Sequence, residues 1–170
     1  MQNEIVGHKL TSEKLKKSEE LFRTMVETIP FAIILTNTKN NTILYINHKT
    51  EEMLRKLMYA IPDAVIVTDL CDYITFANNS AYSILGYTDE STLISKDVLS
   101  LISQDDKEKA QANILKIFDG YSTPQEYTHI RKNGTTFDGE VNGTILRGEN
   151  SSPFGIVYVI RDITERKKDG

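Results

Sequence analysis

The chain writes one short pattern twice, and that repetition constrains its fold more than any other feature. Met25-Val26-Glu27-Thr28-Ile29-Pro30-Phe31-Ala32-Ile33-Ile34-Leu35-Thr36-Asn37 resembles Leu57-Met58-Tyr59-Ala60-Ile61-Pro62-Asp63-Ala64-Val65-Ile66-Val67-Thr68-Asp69, 32 positions later. Ile43-Leu44-Tyr45-Ile46-Asn47 then matches Ile74-Thr75-Phe76-Ala77-Asn78 at an offset of 31. An internal repeat changes which architectures a chain can adopt, so it has to be settled first. The unit reads helix, strand, turn, strand. Only the second copy runs on into the remaining elements of a domain, so the first, at about 22–53, reads as partial.

Hydrophobic spacing fills in the elements. Leu15, Phe22 and Ile29 fall seven apart with Met25 between them, which predicts an amphipathic helix over 10–28 with a short heptad stripe. That stripe suits packing on its own domain or a stalk between protomers. Pro30 stops the helix; strands are expected at 31–36 and 43–46 around a polar turn at 37–41. Asn47 can cap a helix over 49–59, where Met53, Leu54, Leu57 and Met58 recur at helical spacing. After the second strand pair come a short helix from Ser80 closed by Gly86, a helical turn at Thr88-Asp89-Glu90 and another at 100–103. A longer helix is expected from Asp105-Asp106 to Phe118, ended by Gly120. Three strands follow, over 124–132, 136–146 and 154–163, the first two joined by a two-residue hairpin turn at Asn133-Gly134. Strands, then helices, then a three-stranded meander predict an α+β fold: an antiparallel sheet with helices on one face.

Composition narrows the function classes. With 170 residues, 39% hydrophobic and 26% charged, the chain can bury a real core. A net charge of −4 argues against binding a nucleic-acid backbone. No apolar run approaches the ~18 residues of a membrane span, and the N-terminus has no signal-peptide core. A single cysteine, Cys71, excludes an internal disulfide and suits a reducing cytoplasm. Asn-x-Ser/Thr triplets such as Asn133-Gly134-Thr135 read as turn residues in that setting. No paired catalytic acids, nucleophile–base set or phosphate loop is visible, so no enzyme is expected.

At this stage the residues resemble a PAS domain. The likeness is carried by the strand at 60–69, by Phe76-Ala77-Asn78-Asn79-Ser80-Ala81 and by Ile84-Leu85-Gly86-Tyr87-Thr88-Asp89-Glu90. It continues through the Asp105-Asp106 helix start and Arg131-Lys132-Asn133-Gly134-Thr135-Thr136-Phe137. It ends on Val159-Ile160-Arg161-Asp162-Ile163-Thr164-Glu165-Arg166-Lys167. One departure is Ser103-Gln104, where many relatives have His-Pro. The resemblance implies a complete PAS domain at 54–167, with a five-stranded antiparallel sheet, helices on one face and often a cavity between them. Residues 1–53 would be an N-terminal helix plus the extra β-hairpin, and 168–170 the truncated start of an output linker. It further implies a place in a larger signalling protein, such as a sensor histidine kinase of a two-component system, whose output domain follows. Asp162 would bond near the start of the domain and fix the exit helix; it could equally cap that helix.

Strand alternation picks out the inner face. On 136–146 it carries Phe137, Gly139, Val141, Gly143 and Ile145; Tyr127 and His129 face inward beside it, as do Tyr158 and Ile160 on the last strand. With Thr68 on the first complete strand, the candidate ligand pocket is Thr68, Tyr127, His129, Gly139, Val141, Gly143, Tyr158 and Ile160. Two inward glycines mean room for a ligand, close helix packing, or a bulge. His129 could bond a ligand, hold a metal or sense pH, or be a core residue bonded to Tyr158 or a backbone carbonyl.

Known cofactor signatures of the family are missing. There is no reactive-cysteine helix of the light-sensing flavin (LOV) kind, and Cys71 sits in a turn. Haem-binding members place a histidine on the helix before the third strand, and helix 105–118 has none. Cofactors are therefore none or unknown; a non-photochemical flavin stays open because it needs only aromatic and amide contacts. No inward arginine or lysine awaits a carboxylate ligand. The two functional readings are a sensory relay module and a ligand-free dimerisation module. In either case a homodimer through helix 10–28 and the partial repeat is expected.

Overall fold

The computed structural model describes residues 2–30, 34–36, 43–148 and 151–169. It divides into two compact units, residues 1–57 and 58–170, each described by itself.

The N-terminal unit begins with α1 (Gln2–Thr28), a longer helix than the heptad stripe alone indicated. Leu15, Phe22 and Met25 are exposed along it, as is Ile29 just past its end, while Val26 is buried. A short antiparallel pair follows, β1 (Ile34–Thr36) and β2 (Ile43–Ile46), with Ile34 opposite Ile46. The expected strand residues 31–33 and the turn at 37–41 lie outside the described residues. Asn47 then opens α2 (His48–Ala60). Its side-chain oxygen accepts from the Thr50 amide at 3.0 Å, satisfying a donor that the first helical turn leaves free. Its amide nitrogen donates to the Val26 carbonyl at 3.3 Å, tying α2 to α1. The Glu27 carboxylate accepts from the Tyr45 hydroxyl and from the His48 amide, which holds it below the usual carboxylate range.

The second unit is built on a five-stranded antiparallel sheet of order β4-β3-β7-β6-β5. Its strands are β3 (Ala64–Thr68), β4 (Ile74–Ala77), β5 (Gln125–Ile130), β6 (Thr136–Arg147) and β7 (Pro153–Asp162). Between β4 and β5 run α3 (Asn79–Leu85), short 3-10 turns and α4 (Lys107–Phe118). α3 is capped at one end by Asn78 and closed at the other by Gly86 in the left-handed region (φ 73°), where a Cβ would be strained. α4 buries Ala110, Ile114 and Ile117, the stripe that its i, i+4, i+7 spacing dictates. With the inner sheet face these form one core around Ile66, Ile74, Leu85, Leu101 and Ile156.

Two local expectations are corrected. α4 starts at Lys107 rather than at the aspartates, and Asp106 does not cap it: its carboxylate accepts from the Thr128 amide of β5 at 2.7 Å. The β5–β6 turn is longer than two residues. The Arg131 amide bonds the Thr135 carbonyl around Lys132 to Gly134, and only Gly134 (φ 83°) is left-handed. A type I′ turn needs both central residues at positive φ; Asn133 does not supply it and instead accepts from the Thr135 amide at 3.0 Å.

Candidate functional site

A small cavity lies where α4 and the 3-10 turn Val98–Leu101 meet the inner face of β5, β6 and β7. The sheet contributes Tyr127, His129, Val141, Gly143, Tyr158 and Ile160, six of the eight residues singled out from alternation. Gly139 also faces inward and Thr68 is buried, but neither lines the cavity. The volume is about 30 Å³, room for no more than a water or two.

The two glycines explain why so little space remains. A Cβ on Gly139 would stand 2.5 Å from Nδ1 of His129, whose ring lies across the glycine from the neighbouring strand. A Cβ on Gly143 would stand 2.5 Å from Cδ1 of Ile117 and 3.1 Å from the Tyr158 ring. Both glycines therefore accommodate protein side chains, the close-packing outcome of the alternatives above.

His129 is 1% exposed and stacked on Phe137, with ring centroids 4.9 Å apart at 24°. Its Nδ1 lies 3.1 Å from the Tyr127 carbonyl, so the backbone partner is on its own strand and Tyr158 is not the partner. Burial lowers its pKa to about 4, against the opposing pull of that carbonyl, so the ring is neutral at pH 7. Tyr158 is pushed well above the ordinary tyrosine range, chiefly by burial. The Thr68 hydroxyl lies near enough to influence it, yet neither oxygen makes a well-formed hydrogen bond.

The exit from the sheet is densely tied. Asp162 is the last residue of β7, and one carboxylate oxygen accepts from the Thr164 amide at 3.0 Å, at the start of α5 (Thr164–Lys168). The other oxygen pairs with Arg131 at 2.9 Å. Burial works to raise the Asp162 pKa, but the bonds from Thr164 and Arg131 outweigh it and hold it low. The expected bond from Asp162 to the start of the domain is not what forms. That link is made one residue earlier by Arg161, whose guanidinium grips Asp63 at 2.8 Å. The reason is alternation: Arg161 and Asp162 point to opposite faces, and only the former faces Asp63. Further along α5, Lys167 pairs with Glu126 and Asp138, and Arg166 with Glu126 and Glu140.

A family model described as PAS domain matches residues 62–165, more than half of the chain. The chain belongs to the PAS domain family. A second PAS domain model matches residues 20–60, the end of α1, the β1–β2 pair and α2. Solved structures agree on the fold. The PAS domain of a protein from Colwellia psychrerythraea is 24% identical with a TM-score of 0.64, covering 69% of this chain and 99% of its own. A PAS domain of an HTR-like protein from Haloarcula marismortui is 24% identical with a TM-score of 0.57, covering 68% and 93%. A domain of a sensory box sensor histidine kinase/response regulator from Geobacter sulfurreducens is 22% identical with a TM-score of 0.56, covering 68% and 96%. No curated protein matches.

LOV proteins are also among the structural neighbours, such as that of Rhodobacter sphaeroides at 18% identity, so a flavin has to be tested against this PAS cavity. It does not fit. Pockets for molecules of drug or cofactor size run to about 300–1,000 Å³, some tenfold more than is present. Filling the space would require displacing His129, Ile117 or Tyr158 from the glycines they cover, and haem meets the same obstacle. Among the described residues, no group of His, Cys, Asp and Glu is arranged to hold a metal. None of their helices is long and apolar enough to cross a membrane.

Sequence reasoning missed the helical half of the PAS cavity. Ala110, Ile114 and Ile117 were legible from their spacing on α4 as core, but nothing local says which stretch of sheet they oppose. Arg131 was quoted only as part of a turn; the signal that could have raised it is its place beside the inward Phe137, paired across the hairpin with His129.

Proposed function

We propose that this chain is a sensory, signal-relaying PAS module of a larger signalling protein, with α5 as its outlet. One observation supports this above the rest. α5 follows β7 after one residue, and the inward side chains of β7, Tyr158 and Ile160, form part of the cavity wall. A change in core packing therefore reaches the outlet through one strand. A structural neighbour is a domain of a sensor histidine kinase/response regulator, which favours a kinase as the parent. The module itself performs no chemistry on this reading, and it works in the cytoplasm as a homodimer through its N-terminal unit.

A second reading, a ligand-free dimerisation module, is favoured by the 30 Å³ cavity. Native mass spectrometry of the purified chain, followed by a thermal-shift screen of small neutral metabolites, separates the two. Sensing by ligand predicts a molecule that raises Tm and alters amide exchange in α5. If nothing does so, and deleting residues 1–50 abolishes the dimer, the dimerisation reading replaces it.

A further inference from the structure

We propose that Arg131 is a coupling residue that ties the cavity wall to the exit helix through the contiguous stack His129–Phe137–Arg131–Asp162. This inference rests on the relay reading above and names the route by which the core would reach α5.

The stack is continuous at every step. His129 forms part of the cavity wall and is confined between the Gly139 backbone beneath and the Phe137 ring 4.9 Å away. On the same Phe137 ring lies the Arg131 guanidinium, 4.3 Å from the centroid. Arg131 then pairs with Asp162 at 2.9 Å, and Asp162 accepts from the Thr164 amide that begins α5. The guanidinium also donates to the Ile84 carbonyl near the end of α3, so three partners from different elements fix one planar group. Gly139 closes the circuit, because it lies under the His129 ring and is paired directly with Asp162 across β6 and β7. A displaced imidazole presses first on Phe137, its stacking partner, and the guanidinium sits over that same ring. Arginine is suited to this position for a reason lysine cannot meet: a delocalised cation can sit over a ring while its separate N–H groups reach a carboxylate and a carbonyl at once.

Contiguity alone is not coupling; the physical mark of coupling is non-additivity between positions. The test is amide hydrogen exchange on the full chain, read at Thr164 and Lys167, with the Tyr158 amide as a core reference. Arg131→Gln is expected to speed exchange in α5 about three- to tenfold, the range for losing a half-buried ion pair. His129→Leu and Phe137→Leu are each expected to speed it about threefold in the wild-type background, and to add nothing in the R131Q or R131K backgrounds. R131K is expected to keep α5 docked by charge while severing its response to His129. Equal factors for H129L with and without Arg131 would overturn the relay, as would unchanged α5 exchange in all variants. If H129L does not fold, Phe137→Leu makes the same test one step along. Ile114→Phe, which fills the cavity from α4, distinguishes the two layers of inference. A response of α5 to I114F but not to H129L removes this route and keeps the relay function; a response to neither removes both.

Discussion

The two asparagines Asn47 and Asn78 do the same job in two units that differ in everything around them. Each is buried, each accepts from the amide three residues on at 3.0 Å, and each donates to a carbonyl of the preceding helix segment. Those carbonyls belong to Val26 and Met58, positions the repeat pairs. Asn78 also accepts from Val65 at 2.9 Å and donates to Asp63 at 3.1 Å, anchoring β3. The strands diverge more sharply. Ile34 is 49% exposed, whereas its counterpart Ile66 is fully buried. In the second unit β7 pairs along β3, and α3, α4 and the 3-10 turns cover its inner face. The lesson is that a local motif survives without its complement, but burial does not.

That contrast can be broken most directly at the strands. Ile66→Ala should cost about 4 kcal/mol by chemical denaturation, the usual penalty for emptying a buried site. Ile34→Ala should cost under about 1 kcal/mol in a monomer. Equal costs would mean that a partner copy covers the hairpin, which sharpens the dimer proposal. Next, Asn78→Ala should cost about 3 kcal/mol, because it strands two amides and leaves carbonyls unpaired in the core. Asn47→Ala should cost about 1–2 kcal/mol, the loss of a helix cap, because the β1–β2 pair it borders is more exposed; the reverse order would break the comparison.

Acid should act on the complete unit through His129. Its pKa is lower folded (about 4) than unfolded (about 6.5), so the unfolded chain takes up the proton first. The associated stability is fully present above pH 6.5 and is lost as pH falls towards 4, by about 2–3 kcal/mol. Denaturation at pH 7 and pH 4.5 should show this loss in wild type and a smaller one in His129→Gln. Gly143→Ala should cost about 1–2 kcal/mol by thermal melting, since its methyl meets Ile117 and Tyr158. The smallest effect is expected at Lys167→Gln: its partners are half-exposed and screened by solvent, so the thermal melt should barely move, while α5 frays faster in high salt.

Much of the site was legible in the sequence. Alternation along β6 placed Phe137, Gly139, Val141 and Gly143 inward because a strand has only two faces, and the burial pattern follows it. The β5–β6 turn was misjudged because Asn-Gly permits a two-residue type I′ turn without requiring one. The Asp162 contact was assigned through resemblance to the start of the domain, where Arg161 in fact reaches, because resemblance carries no information about which neighbour a side chain will meet.

By itself, then, the sequence determined what depends on near neighbours: the Asn47 cap, Gly86 at the end of α3, the strand faces and the family. These follow from φ/ψ preference, hydrogen-bond reach and side-chain period, all local quantities. Only the tertiary structure decided that the glycines seat His129, Ile117 and Tyr158 and leave a cavity of about 30 Å³. It alone brought Arg131 between Phe137 and Asp162, residues far apart in sequence. Packing volume and ion-pair choice are properties of elements brought together by the fold, and no single stretch of chain contains them.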